Sequence, residues 1–339
     1  MILKKVNMAK MKSFNEKIDA LLVNLKIEKP KAPKYIEHIY ADFIEINAFF
    51  LKDEVTLSDI SDLLNDVKDT NIVIDERDSD SFVAESNIAE INDKISGKIK
   101  SIFDLCLFRS SLYKADEYPF IITNSQIKIK SEITEKQKIY LFLLISSNLN
   151  YFESIESILT KEFESLSMLS LKKYFPQKAI VKSFGKNSQY EGNAQDKIKT
   201  LAIELGIKIN EEKINCISKH NVQERGLDVV AWIPFEDRVP NHVVLLGQCA
   251  CGKNWDTKQT DTVFFSNYFY FENSPIHSMF IPYSLVDNSG NFSQYDRILN
   301  NLFFDRKRII EQFDNIEFLE QFESFKIIDK FIKNRIEIN

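Results

Sequence analysis

The sequence predicts an α/β (α+β) protein: a core of helix, three strands, helix and strand, preceded by a mostly helical N-terminal domain. Three observations carry this. Two strand-like apolar runs, Leu227 to Trp232 and Val243 to Ala250, flank a turn with Pro234, Asp237, Arg238, Pro240 and Asn241. An amphipathic stretch at 193 to 205, closed by Gly206, comes just before them. Most of the chain ahead of residue 175 carries its apolar residues at helical spacing. The expected division is 1–175 for the helical domain and 176–339 for the sheet-bearing domain with C-terminal helices.

In the front half, Ile36, Ile39, Tyr40, Phe43, Ile44 and Phe49 define one helix over 35 to 50. Leu57, Ile60, Leu63, Leu64 and Val67 define a second, opened by Thr56 or Ser58 as cap. The polar, acidic stretch from Lys68 to Ser86, with Asp75, Glu76, Asp78 and Asp80, reads as a loop. Helices are expected at 87–114, 134–149 and 152–173. Between them Tyr118 to Ile122 and Ile127 to Ile129 predict a small hairpin.

In the second half, Ala194, Ile198, Leu201, Ala202 and Leu205 give the helix of 193–205, which Gly206 ends. Lys213 to Ser218, Leu227 to Trp232 and Val243 to Ala250 read as three strands. The short turn between the last two makes them antiparallel neighbours. Gly252 and Asn254 break the run, and Trp255 to about Asn267 is expected to be helical. Met279 to Leu285 then predicts a strand, and Tyr295 to Phe313 a long helix.

Composition narrows the classes. Of 339 residues, 44% are hydrophobic and 28% charged, which suits a large folded core rather than disorder. No apolar run approaches the roughly 20 residues of a membrane span, so the expected setting is the cytoplasm, without membrane contact. Four cysteines without disulfide-like spacing agree with a reducing compartment. With eight glycines in the chain and no GxxxxGK, GxGxxG, GxSxG or HExxH, nucleotide-cradling loops, serine hydrolase elbows and zincin helices are excluded. The net charge of −6 does not advertise nucleic-acid binding. Locally, Lys172, Lys173, Lys178, Lys182 and Lys186 form an acid-free basic run with Tyr174, Phe175, Phe184 and Tyr190 nearby. That pattern suits a nucleic-acid backbone or a solvated connector.

One pair of residues carries chemistry. Asp228 interrupts an apolar strand, and a buried carboxylate needs a cation, a metal or hydrogen-bond donors. Gln248 ends the next strand in the same way. Mg²⁺ takes oxygen ligands, so the Asp228 carboxylate, the Gln248 amide oxygen and the Cys249 carbonyl would suit it. Glutamine adds no charge, which leaves room for a further acid. The plainer accounts are Asp228 paired with Arg225 at a strand end, and Gln248 satisfying backbone groups. Cys249 and Cys251 form a CxC, but closed zinc sites take four ligands, and His38, His220, His242 and His277 show no paired spacing. Small buried cysteines are the simpler reading.

The order helix, three strands, helix, strand, with Asp228 on the second strand and Gln248 on the third, resembles the αβββαβ core of the PD-(D/E)XK (restriction endonuclease-like) nuclease superfamily. The resemblance covers about residues 185 to 290. It implies a metal-dependent DNA endonuclease that hydrolyses phosphodiester bonds with Mg²⁺ or Mn²⁺, Asp228 and Gln248 being ligands. Ala250 stands where the family has a lysine, so Lys258 or Lys253 would supply the water-orienting ammonium. Asp196 or Glu191, with Glu224 as a third choice, would add the helix acid. The Lys172 to Lys186 run would hold the DNA backbone. The GxDVVAW and GQCxxG pattern behind a helical front half also looks like proteins of bacterial anti-phage defence, which implies a helicase or ATPase partner. Two rivals remain: a catalytically inactive nuclease fold that binds DNA or scaffolds a defence complex, and an assembly role centred on the front half.

Overall fold

Residues 36–50 form the first well-defined helix in a computed structural model that describes residues 16, 18–21, 25–30, 34–51, 54–65, 88–185, 188–220, 226–237, 239–314 and 316–338. The chain resolves into two compact units. One comprises 1–25, 139–284 and 294–339, the other 26–138 and 285–293. The division thus falls at 138/139 and not at the expected 175/176. The physical reason is the long helix Glu156–Tyr174, which packs along three strands of the main sheet and so belongs with it.

The smaller unit contains α1 (Ile36–Phe50), β1 (Glu54–Thr56), α2 (Leu57–Asn65), α3 (Ile88–Leu112), β2 (Phe120–Ile122) and β3 (Gln126–Ile129). Thr56 and Asp59 cap α2 reciprocally. Thr56 Oγ1 accepts the Asp59 N–H at 3.1 Å, and Asp59 Oδ2 accepts the Thr56 N–H at 2.8 Å. The hairpin expected around 118–129 is present, and β1 pairs antiparallel with its second strand, giving the order β1-β3-β2. Val55 and Ile127 lie opposite each other in that pairing, both fully buried. The acidic loop expected at 68–86 lies outside the described residues.

The interior of this unit holds a charged cluster. Arg109 Nη1 donates to Asp42 Oδ1 at 2.8 Å and to Glu45 Oε1 at 2.9 Å, while Nη2 donates to the His38 carbonyl at 3.2 Å. The Tyr118 hydroxyl donates to the same Glu45 oxygen at 2.9 Å. Burial, with the Glu45 charge second, pushes the Cys106 thiol well above its usual range.

The larger unit takes in most of α4 (Glu135–Ser146) and then α5 (Glu156–Tyr174), β4 (Ile180–Ser183), α6 (Ala194–Leu205), β5 (Lys208–Ile209) and α7 (Glu211–Asn215). There follow β6 (Val229–Ile233), β7 (Val243–Cys249), a 3₁₀ turn at Trp255–Lys258, α8 (Asp261–Ser266) and β8 (Phe269–Tyr270). The unit ends with β9 (Ile276–Phe280), β10 (Leu302–Phe304), α9 (Arg306–Ile310) and α10 (Glu323–Ile338). The protein is therefore mixed α/β, around a mixed five-stranded sheet in the order β10-β9-β7-β6-β4. Strand β6 runs antiparallel to both β4 and β7, as the tight turn between β6 and β7 requires. β9 returns parallel to β7 after a crossover that includes α8, and β10 lies parallel to β9.

The two faces of this sheet are filled differently. Val230, Trp232, Val244 and Leu246 alternate onto one face and pack with Ile198, Leu201 and Leu205 of α6 and Phe265 of α8. Each such fully buried aliphatic or aromatic side chain contributes roughly 1.5–3 kcal/mol. α6 begins at a capping box between Asn193 and Asp196 and stops at Gly206 in the left-handed region, φ 66°. α5 packs against β4, β6 and β7. Its Glu162 reaches α10, accepting the Glu323 N–H at 2.6 Å and the Ser324 N–H at 3.0 Å. That carboxylate satisfies two orphan donors at a helix start and faces the positive end of its dipole.

Three expected elements differ. Lys213 to Ser218 is not a strand, because Asn210 accepts the Lys213 N–H and caps the short helix α7. The edge strand of the antiparallel set is instead β4, within the stretch read as a basic connector. The long helix expected from Tyr295 to Phe313 is broken into a 3₁₀ turn, β10 and α9, since Phe303 and Phe304 add to the sheet beside Met279 and Phe280 and Asp305 restarts a helix as its cap. The strand expected at 279–285 instead spans Ile276–Phe280, beginning where pairing with Leu245 starts and ending before Ile281.

Candidate carboxylate site at the sheet end

Asp228 stands one residue ahead of β6, where the ladder with β7 loses its regularity. The last regular pair is Val229 with Gly247. Beyond it, Asp228 donates its N–H to the Gly247 carbonyl at 2.9 Å, and its Oδ2 accepts the Cys249 N–H at 2.7 Å. A carboxylate thus replaces a backbone acceptor, and Asp228 is bonded to both chain neighbours of Gln248. On its other side, the Asp228 carbonyl accepts the Phe184 N–H at 2.7 Å, which ties β4 to the same point.

Gln248 is 7% exposed. Its Nε2 turns back to the Cys249 carbonyl at 3.4 Å, while its Oε1 is buried without a hydrogen-bond partner. Asp228 and Gln248 therefore both engage the Cys249 backbone, Asp228 at its N–H and Gln248 at its carbonyl. By strand alternation Gln248 shares its face with Val244 and Leu246, and Cys249 lies on the other.

The residue that the structure brings to Asp228 is Glu164 of α5. A Cβ placed on Gly185 would stand 3.2 Å from Glu164 Oε2 and 3.7 Å from Asp228 Oδ1. Two carboxylate oxygens from elements distant in sequence thus border one small space, kept open because residue 185 has no side chain. Both carboxylates also act on the neighbouring thiols. Burial first, and then the charges of Asp228 and Glu164, raise the Cys249 thiol well above its usual range. Burial followed by Glu164 does the same for Cys251. The thiols stay protonated at neutral pH and are poor ligands for a soft metal. Among the described residues no group of three or more His, Cys, Asp and Glu has metal-holding geometry, so the oxygens that border this space are the two carboxylates, while the unpartnered Gln248 Oε1 belongs to the residue before Cys249. This donor set fits a hard cation that keeps several waters, as Mg²⁺ does.

Two lysines lie downstream. Lys258 closes the 3₁₀ turn; burial raises the titration of both Cys251 and Asp261, and the Lys258 charge offsets part of that rise. Asp261 in turn packs on Gly226, whose added Cβ would stand 2.7 Å from the Asp261 Cβ. Gly226 has φ +92°, a conformation that favours glycine. The turn carrying Lys258 is thereby seated against the chain that leads into Asp228. Lys253 is half-buried, forms no hydrogen bond or ion pair among the described residues, and has its ammonium pushed below the usual lysine range by burial.

The other expected site residues are placed elsewhere. Asp196 is engaged at the start of α6, its Oδ2 accepting the Asn193 N–H at 3.1 Å. Glu191 is exposed just ahead of that cap, and Glu224 lies outside the described residues. Of the basic run, Lys182 pairs with Glu204 at 2.6 Å and lies over the Tyr190 and Trp232 rings. Lys178 lies 5.6 Å over the exposed Phe235 ring in the β6–β7 turn. That is the opposite end of the strands from Asp228, about 20 Å away at about 3.3 Å per residue. Lys172 and Lys173, at the end of α5, are exposed, and Lys186 lies outside the described residues. Lys182, already neutralised, is not available to a phosphate, and Lys178 is remote from the carboxylates.

The sequence does not single out Glu164, because its helix falls within the expected front domain of 1–175. Recognition of Ile180–Ser183 as a strand would have made α5 the helix preceding the antiparallel set and its acids the natural candidates. No family model, curated protein or solved structure matches this chain. Among the described residues no helix is long and apolar enough to cross a membrane.

Gly185→Ala tests the space directly. The backbone accepts alanine there, but the new methyl forces Glu164 to move by a few tenths of an ångström. Mn²⁺ affinity, measured by calorimetry, is expected to fall about tenfold, with the melting temperature little changed. Unaltered affinity would show that no cation occupies this space.

Proposed function

We propose that this chain is a metal-dependent DNA endonuclease of the PD-(D/E)XK kind, acting at the Asp228–Glu164 site. The observation that carries the reading is the pair of carboxylates facing the bare Cα of Gly185 at the end of an antiparallel strand pair. The element order supports it. Helix α5, the antiparallel strands β4, β6 and β7, helix α8 and the parallel strand β9 follow the sequence αβββαβ, with α6, β5 and α7 inserted between the first two strands and β8, which pairs with β5, before the last.

In this reading Asp228 and Glu164 hold Mg²⁺ or Mn²⁺, with Gln248 Oε1 as the neutral third oxygen. The bound ion would supply a hydroxide-like nucleophile near neutral pH and neutralise charge on the phosphate. The rest falls to the protein. Cys249 N–H fixes one Asp228 oxygen, which leaves Oδ1 directed toward Gly185. Lys258, placed beside Asp261 and the approach to Asp228, orients the attacking water and offsets the negative charge of the site. The anti-phage setting and a helicase or ATPase partner belong to this proposal through the family resemblance alone.

The test is cleavage of plasmid and of short oligonucleotides with Mg²⁺, Mn²⁺ or EDTA. Cleavage that needs the metal, and that falls about a hundredfold in Lys258→Met, is the expected result, in the range for loss of one positioned proton-handling group. Metal-independent cleavage overturns the reading. Ala250, 2% exposed at the usual lysine position, favours the second reading, an inactive nuclease fold that binds DNA or scaffolds a complex. It predicts metal binding without cleavage under every condition.

A further inference from the structure

We propose that Glu204 is a clasp that closes the segment from Lys182 to Tyr190 and so sets the gap between the Asp228 and Glu164 carboxylates. Lys182 and Tyr190 act with it as positioning residues. This rests on the metal-site reading and names what holds the geometry of that site.

Gly185 lies inside the closed segment, at the exit of an edge strand. β4 pairs with β6 alone, and its regular pairing ends at Ser183 opposite Val229. Beyond that point the Phe184 and Gly185 N–H groups both donate to the Asp228 carbonyl, at 2.7 and 3.4 Å. The second of these is long and holds the glycine weakly. The Gly185 carbonyl then accepts the Ser188 N–H at 3.0 Å, and the Ser188 hydroxyl accepts the Tyr190 N–H at 3.3 Å. A run of hydrogen bonds thus leads from the gap to Tyr190.

Both ends of the segment meet on one carboxylate of α6. Glu204 Oε1 accepts from the Lys182 ammonium and Oε2 from the Tyr190 hydroxyl, each at 2.6 Å. Lys182 Nζ also lies 5.6 Å from the centre of the Tyr190 ring and 5.7 Å from that of Trp232, and both rings are buried. An ammonium set between two ring faces and a carboxylate is held more firmly than a solvated surface pair. Burial, and then the Glu204 contact, raise the Tyr190 hydroxyl well above its usual range, so it keeps its proton and stays a donor. The Tyr190 ring packs on Phe184 with centres 5.0 Å apart, and Phe184 meets Phe265 of α8 edge-on at 5.3 Å. The clasp therefore reaches the neighbour of Gly185 through ring contact as well as through the backbone. A plain ion pair would tie β4 to α6 and leave the gap unaffected.

The test reads the gap first without metal and then with it. In EDTA, hydrogen exchange at the Phe184 and Gly185 amides is expected to quicken about tenfold in Lys182→Met, as for a local opening. Lys182→Arg, whose guanidinium meets both carboxylate and rings, is expected to stay within about twofold of the wild type. Propylammonium, the fragment removed in Lys182→Ala, should restore part of the protection to that variant, which a loss of packing alone would not show. Mn²⁺ affinity by calorimetry is expected to fall about tenfold in Lys182→Met and in Glu204→Gln, the low end for losing a group that supports metal ligands. Exchange unchanged in Lys182→Met overturns the clasp, and so does unchanged Mn²⁺ affinity in a variant whose exchange has quickened. Quickened exchange in a protein that binds no Mn²⁺ at all would remove the metal site and leave the clasp.

Discussion

Asp228→Asn is expected to abolish metal-dependent cleavage, a fall of about a thousandfold or more. Charge stabilisation by a catalytic metal is worth several kcal/mol, and each 1.36 kcal/mol is tenfold in rate. The choice of asparagine matters. Its side-chain oxygen can still accept the Cys249 N–H that Asp228 Oδ2 accepts at 2.7 Å, so the strand end stays tied while the charge is lost. The melting temperature is therefore expected to hold without metal. Wild-type protein should melt higher in saturating Mn²⁺, since a ligand bound only by the folded state stabilises it, and Asp228→Asn should lose that rise. Full cleavage by this variant would remove Asp228 from the chemistry. A variant that also melts early would show the residue to be structural.

Arg109→Ala is expected to destabilise the smaller unit by about 3–5 kcal/mol, the cost of removing one partner from a buried ionic network. Asp42 and Glu45 would each lose the Nη1 donor that now approaches within 3 Å, and both are buried among apolar residues. Urea unfolding followed by fluorescence reads this loss. The triple variant Arg109→Met, Asp42→Asn, Glu45→Gln should recover much of it, because no net charge is then left buried. A loss below about 1 kcal/mol for Arg109→Ala, the scale of an exposed pair, would mean that water reaches the cluster.

The hairpin that carries the candidate site was legible because its signals are local. Alternation through Val229 to Trp232 and Val243 to Leu246, and the polar turn between the runs, suffice to pair β6 with β7. The seating of Asp228 and Gln248 at the Cys249 backbone follows from that pairing. Local signals also located α1, α2, α3 and α6, whose apolar stripes lie within each segment, with side-chain caps at α2 and α6. They misled at Lys213 to Ser218, where Asn210 and two acids favour a helical turn. At Tyr295 to Phe313 they misled again, because the strand propensity of Leu302–Phe304 is realised only against β9.

The chemistry that was not legible is non-local. Glu164 meets Asp228 because α5 lies across β4, β6 and β7, and because Gly185 leaves the gap between the two carboxylates open. The basic run reads as one surface in the sequence, yet Lys182 turns to Glu204 and Lys178 to Phe235 at the far end of the strands. Residue order alone settled that an acid and an amide stand at the ends of two adjoining antiparallel strands, since side-chain alternation and turn chemistry act over a few residues. Which second acid borders the same gap as that acid was decided by packing, since burial of apolar faces brings together groups that no spacing along the chain records.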